Sequence, residues 1–241
     1  MRMYIAGQWT EAQDTIQVLN PFDGSLVDTV PHASPKEVDQ ALASATRGAR
    51  IMAELAAYER YSILTKTAGL LRENQEDCAR LISKESGKAL WESRFEVVRA
   101  AETIELSAEE AKRIRGETIP LDAASGGQGK FGFTLRVPCG VVVAISPFNF
   151  PLNLLCHKVG PALAAGNAVI AKPPTDTPLS ALRVTELLLE AGLPPEGIQC
   201  VTGPGGSVGE QLCADPRVRK ISFTGSPSVG ERICQVAGIK K

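Results

Sequence analysis

Gly140-Val141-Val142-Val143-Ala144-Ile145-Ser146-Pro147-Phe148-Asn149-Phe150-Pro151 is a continuous apolar, β-rich run that stops at a turn bracketed by two prolines. Ala168-Val169-Ile170-Ala171-Lys172-Pro173-Pro174 repeats the pattern, and Ile198-Gln199-Cys200-Val201-Thr202 and Val218-Arg219-Lys220-Ile221-Ser222-Phe223-Thr224 follow. Strands apolar on both faces belong inside a parallel sheet covered on two sides. Between them the periodicity predicts helices over about 152–164, from Thr177-Pro178, near 206–213 and from a Ser226-Pro227 cap. Strand alternating with helix four times predicts an α/β fold, a doubly wound parallel, Rossmann-like sheet with helices on both faces.

Upstream the grammar differs. Residues 1–31 read as short extended pieces, Tyr4–Trp9, Thr15–Leu19 and Ser25–Val30, with Asn20-Pro21-Phe22-Asp23-Gly24 as a turn. Ser34-Pro35-Lys36-Glu37 is a capping box with proline at the first helical position. Helical patterns then cover about 57–84 and 88–113, an α-rich N-terminal layer. Glu117–Leu121 and Lys130–Val137 read as strands around Ser125-Gly126-Gly127-Gln128-Gly129, which predicts a projecting β-hairpin. The divisions are thus 1–116, an arm at 117–139, and a dinucleotide-binding core at 140–241.

Composition narrows the function. Of 241 residues, 44% are hydrophobic, and 26 Lys plus Arg against 27 Asp plus Glu leave a net charge of −1. Such a balance gives no electrostatic footprint for nucleic acid or an anionic membrane surface. The six cysteines form no CxxC pair and no Cys/His cluster, so no metal is expected. Unpaired thiols and an N-terminus without a sustained apolar region predict a cytoplasmic protein.

Ligands of open parallel sheets sit beyond the carboxyl ends of the strands. Four loops fall there. Asn149, fixed between Pro147 and Pro151, could aim its amide at a developing oxyanion or merely satisfy loop backbone. Lys172 at a strand end could anchor ribose or phosphate, or stand in solvent. Gly203-Pro204-Gly205-Gly206-Ser207-Val208-Gly209 reads GxGxxxG, either a phosphate loop or a tight turn. Gly225-Ser226 opens a helix whose N-terminus favours a pyrophosphate, or is an ordinary cap. Their alignment at successive strand ends favours a nucleotide.

Phe148-Asn149-Phe150-Pro151, Lys158, Pro161-Ala162-Leu163-Ala164-Ala165-Gly166-Asn167, Lys172-Pro173 and Phe223-Thr224-Gly225-Ser226 with Val229-Gly230 together resemble the aldehyde dehydrogenase superfamily. The likeness extends to Ile5-Ala6-Gly7-Gln8-Trp9 and Asn20-Pro21. It implies oxidation of a small-molecule aldehyde to an acid, with hydride passed to NAD or NADP. Asn149 would be the oxyanion amide, and Lys158 would lie near the proton path. Lys172 would hold the adenosine ribose, Gly205 and Gly209 the adenine side, and Gly225 and Ser226 the pyrophosphate. Phe223 and Val229 would meet the nucleotide's apolar faces, with Ile145, Ser146, Pro147, Phe148, Thr224 and Gly230 completing the set. Phe150, Asn153 and Leu154 would contribute to the substrate tunnel, and the 117–139 arm would join copies into a homo-oligomer.

Thr175 departs from the NAD-preferring pattern, in which a glutamate three residues after the ribose lysine repels a 2′-phosphate. NADP should therefore be accepted, and even preferred. The family's nucleophilic cysteine (GQxC-type) and general-base glutamate (ELGG-type) motifs occur nowhere in the 241 residues. The expectation is a truncated, cofactor-binding half that is inactive alone. The alternative is a non-enzymatic nucleotide-binding protein derived from that domain. An unrelated Rossmann-type reductase is disfavoured, because Tyr4, Tyr58 and Tyr61 each lack a lysine four residues on.

Overall fold

A computed structural model describes residues 1–238, so the last three residues of the expected 140–241 core lie outside the described residues. The N-terminal segment holds β1 (Met3–Ile5), β2 (Gln8–Thr10), β3 (Thr15–Leu19) and β4 (Leu26–Pro31). Four helices follow: α1 (Pro35–Glu54), α2 (Ala57–Glu73), α3 (Gln75–Ser86) and α4 (Leu90–Ala111). The arm contains β5 (Thr118–Ile119) and β6 (Gly132–Phe133). Then come β7 (Val141–Ile145), α5 (Asn153–Ala164), β8 (Ala168–Lys172), α6 (Leu179–Glu190) and β9 (Ile198–Cys200). α7 (Glu210–Ala214), β10 (Val218–Phe223) and α8 (Pro227–Ala237) complete the order.

The main sheet runs β10-β7-β8-β9-β1-β2, with the first four strands parallel. Val142, Ala144, Val169 and Ala171 point to one core, under α5 and α6 and backed by α2, α3 and α4. Val141, Val143, Ala168 and Ile170 point to the other, under α1 and α7. Period-two burial on both faces is the doubly wound arrangement expected from the sequence. The chain moves outward from β7 through β8 to β9, then returns to place β10 on the other flank of β7. A crevice opens beyond the β7 and β10 ends, where the winding reverses.

Four expectations need correction. The single strand read over Tyr4–Trp9 is the hairpin β1–β2, turning at Ala6 (φ 51°) and Gly7 (φ 82°). Two consecutive positive φ values form the tight turn that matches strand twist, although alanine is an uncommon choice there. The hairpin also joins the main sheet, Tyr4 pairing antiparallel with Cys200. The helix expected over 57–84 breaks at Asn74, whose side-chain amide donates to the Leu70 carbonyl and whose Oδ1 accepts from Arg183. The helix near 206–213 begins as a wide π turn over Gly205–Gly209 before α7. Finally, the arm is mostly irregular, with only two residues per strand. Pro120 lacks the donor a longer ladder needs, and a 3₁₀ turn at Leu121–Ala123 diverts the chain.

Candidate functional site

Each strand end in the crevice is shaped by local chemistry. Gly203 adopts φ +149°, and a Cβ there would lie 2.5 Å from Val208 Cγ2, so only glycine makes this exit from β9. At Gly225 a Cβ would lie 2.5 Å from the Phe223 ring, which lets the chain fold tightly from β10 into α8. Ser226 caps that helix through Val229 N–H at 3.5 Å, ahead of Pro227 at the first helical position.

Ile145, Lys172, Gly205, Gly209 and Val229 line one cavity of about 300 Å³, together with Gly206, Glu210, Cys213, Ser228, Arg232, Ile233 and Val236. Lys172 is 3% exposed. Its ammonium donates to the Pro173 carbonyl at 2.7 Å, and burial lowers its pKa from 10.5 to about 8. At the exit of β7 the Ser146 hydroxyl is buried with no hydrogen-bond partner, outside the lining of this cavity. The spaces where Gly205 and Gly206 would carry side chains are open. A buried cation with spare donors, a glycine cradle and apolar walls fit an adenosine with its ribose and phosphates.

The turn between β7 and α5 lies beyond the carboxyl end of β7, outside the lining of that cavity. Phe148, Asn149 and Phe150 are exposed, and Pro147 is half-buried. Lys158 is buried and bridges to β10, donating to Thr224 Oγ1 at 2.7 Å and to the Leu154 carbonyl at 2.9 Å. Desolvation brings its pKa down to about 8. His157 is depressed chiefly by burial, then by the charges of Lys158 and Arg99. Phe223 and Gly230 are half-buried, and Thr224, Gly225 and Ser226 are exposed at the α8 entrance. Thr175 is half-buried on the loop after β8, outside the cavity lining.

Two buried carboxylates escaped the sequence reading. Glu96 accepts from Leu152 N–H at 3.0 Å and Asn153 N–H at 3.1 Å, and pairs with Lys88. Lys88 in turn lies 3.7 Å over the Phe150 ring. Glu85 accepts from Leu179 N–H, Ser180 N–H and the Ser180 hydroxyl, and burial pushes its carboxyl up to about 7. Each therefore caps, from a neighbouring helix, the N-terminus of a helix that follows a sheet strand. The available signal was register: Cys78, Ile82 and Glu85 share one stripe of α3, and Ser93, Glu96, Val97 and Ala100 share one face of α4.

The thiols offer no nucleophile beside Asn149. Cys78, Cys156, Cys200 and Cys213 are buried, and burial raises the pKa of Cys156 and Cys200. Cys139 and Cys234 are exposed. Among the described residues no cluster of three or more His, Cys, Asp or Glu could hold a metal, and no helix is long and apolar enough to cross a membrane.

Residues 9–241 match the aldehyde dehydrogenase family model. The chain is 46% identical over 239 residues to 3-sulfolactaldehyde dehydrogenase of Priestia aryabhattai, covering 99% of this chain and 50% of that protein. It is 41% identical to the NADP-dependent succinate-semialdehyde dehydrogenase of Escherichia coli K12, covering 96% of this chain and 48% of the relative. The crystal structure of an NADP-dependent glyceraldehyde-3-phosphate dehydrogenase from Bacillus halodurans C-125, complexed with NADP, superposes with a TM-score of 0.96 at 37% identity, over 99% of this chain and 51% of that one. The chain spans about half the length of the curated relatives it matches. Fold, motif spacing and family match agree: the chain belongs to the aldehyde dehydrogenase family.

Proposed function

We propose that these residues form the cofactor-binding part of an NAD(P)-dependent aldehyde dehydrogenase. The observation that carries the reading is the single cavity uniting Lys172, Gly205, Gly209 and Val229 at the reversal point of the sheet. Lys172 would hold the adenosine ribose, with Ser146 at the neighbouring strand exit, and the α8 N-terminus at Gly225–Ser226 would hold the pyrophosphate. Phe223 and Val229 would flank the nucleotide, with Ile145, Pro147, Phe148, Thr224 and Gly230 along its path. When bound, the nicotinamide supplies a hydride acceptor. Asn149 would donate its amide to an oxyanion. Lys158, already lowered to about 8 and bonded to Thr224, would relay a proton.

The three relatives act, by name, on aldehydes bearing a sulfonate, a carboxylate or a phosphate. A small anionic aldehyde is the proposed substrate. Phe131, Leu135 and Val137, exposed at 78%, 74% and 78%, support the arm as a contact between copies in a homo-oligomer.

Calorimetric titration tests the cofactor. NADP is expected to bind at least as tightly as NAD, because Thr175 adds no charge against a 2′-phosphate. Thr175→Glu is expected to weaken NADP about tenfold, roughly 1.4 kcal/mol, while leaving NAD unchanged. Binding of NAD tenfold tighter than NADP by the unaltered chain would refute the assignment of Thr175. Failure of both to bind would remove the cofactor reading itself.

A further inference from the structure

α8 contains no buried residue, yet Val229, Ile233 and Val236 turn toward the cavity. An amphipathic helix ordinarily seals such a stripe against protein. Here the stripe borders open space, and the helix must be held across it. Two side chains of the cavity wall do so. Arg232 Nε donates to Glu210 Oε1 at 2.8 Å, and Arg232 Nη2 donates to Glu210 Oε2 at 3.1 Å. A two-bond fork fixes both distance and orientation, which a single contact does not. Glu210 begins α7 immediately after the Gly205–Gly209 turn, and Arg232 lies one turn beyond Val229 on α8. The pair thus ties together the two pieces of chain between which an adenine would lie.

We propose that the Glu210–Arg232 pair is a positioning strut that sets the width of the adenosine cavity, so that α8 closes its apolar stripe on the purine. The inference rests on the cofactor reading above. The side chains are 36% and 57% exposed, so the pair adds little to ligand-free stability. Its effect appears when the gap it spans is filled.

The test titrates the purified chain with 5′-AMP and follows ligand-free unfolding by circular dichroism. Arg232→Gln and Glu210→Gln are each expected to weaken AMP about fivefold, with no further loss in the double variant. Exchange of the two charges, Glu210→Arg with Arg232→Glu, should recover most of the affinity, while ligand-free midpoints stay within about 2 °C. Unchanged AMP affinity in the single variants would overturn the strut, as would losses that simply add. If the unaltered chain fails to bind AMP, the cofactor reading falls first.

Discussion

Glu96→Ala is expected to destabilise the chain by about 3–5 kcal/mol, the range for removing one partner of a buried ion pair. The Glu96 side chain is fully buried, and it serves three donors at once. Alanine would strand the Leu152 and Asn153 N–H groups inside the protein, leave the Lys88 ammonium without its partner and open a void. The loss also reaches the site, because Leu152 lies three residues after Asn149 and Lys88 sits over Phe150. Glu96→Gln keeps one acceptor for the backbone donors, so its loss should be smaller. Urea unfolding of both variants checks the order. A loss below 1 kcal/mol for the alanine variant would mean that water replaces the carboxylate.

Lys172→Met should do the reverse, raising the stability of the ligand-free chain by about 2–3 kcal/mol, or roughly 4–12 °C in midpoint. Burial lowers the folded-state pKa of Lys172 from 10.5 to about 8. The unfolded chain therefore binds that proton more tightly than the folded one. The penalty is present in full below pH 8 and fades as pH rises toward 10.5, so stability should climb across that window. Lys158, also lowered to about 8, contributes in the same direction. Methionine would remove the Lys172 share and flatten the climb. The same substitution should weaken dinucleotide binding at least about tenfold, since the buried ammonium is kept for a ligand oxygen. Unfolding scans between pH 7 and 10.5 decide the matter. An unchanged slope in the variant would mean that the Lys172 ammonium is solvated in the folded chain and keeps its ordinary pKa.

Much of the core was legible because its information is local. β8 falls on the residues read as a strand, and β7 and β10 agree to within a residue at each end. Runs of Val, Ile and Ala ended by Pro or Gly leave little choice of element or boundary. Of the residues expected at the strand ends, Ile145, Lys172, Gly205, Gly209 and Val229 share one cavity, whereas Asn149, Lys158, Thr175 and Phe223 lie outside its lining. What could not be read depends on distant partners. Nothing near Tyr4 announces a pairing with Cys200, and nothing near Asn74 announces Arg183. Glu85 and Glu96 look like ordinary surface charges until helices α5 and α6 place unsatisfied N–H groups against them.

The pairing of Tyr4 with Cys200 also orders events in time. A ribosome adding about 5–20 residues per second needs roughly 10–40 s to pass from one to the other. During that interval β1 and β2 have no sheet to join, because β9 does not yet exist. β1 and β2 are thus made long before the strand they join, and the places that bury Met3, Tyr4 and Ile5 are completed only with it. Closure across so long a loop is the slow, non-local kind of contact. The β1–β2 hairpin acts as a late clasp: it fastens only once β9 has formed.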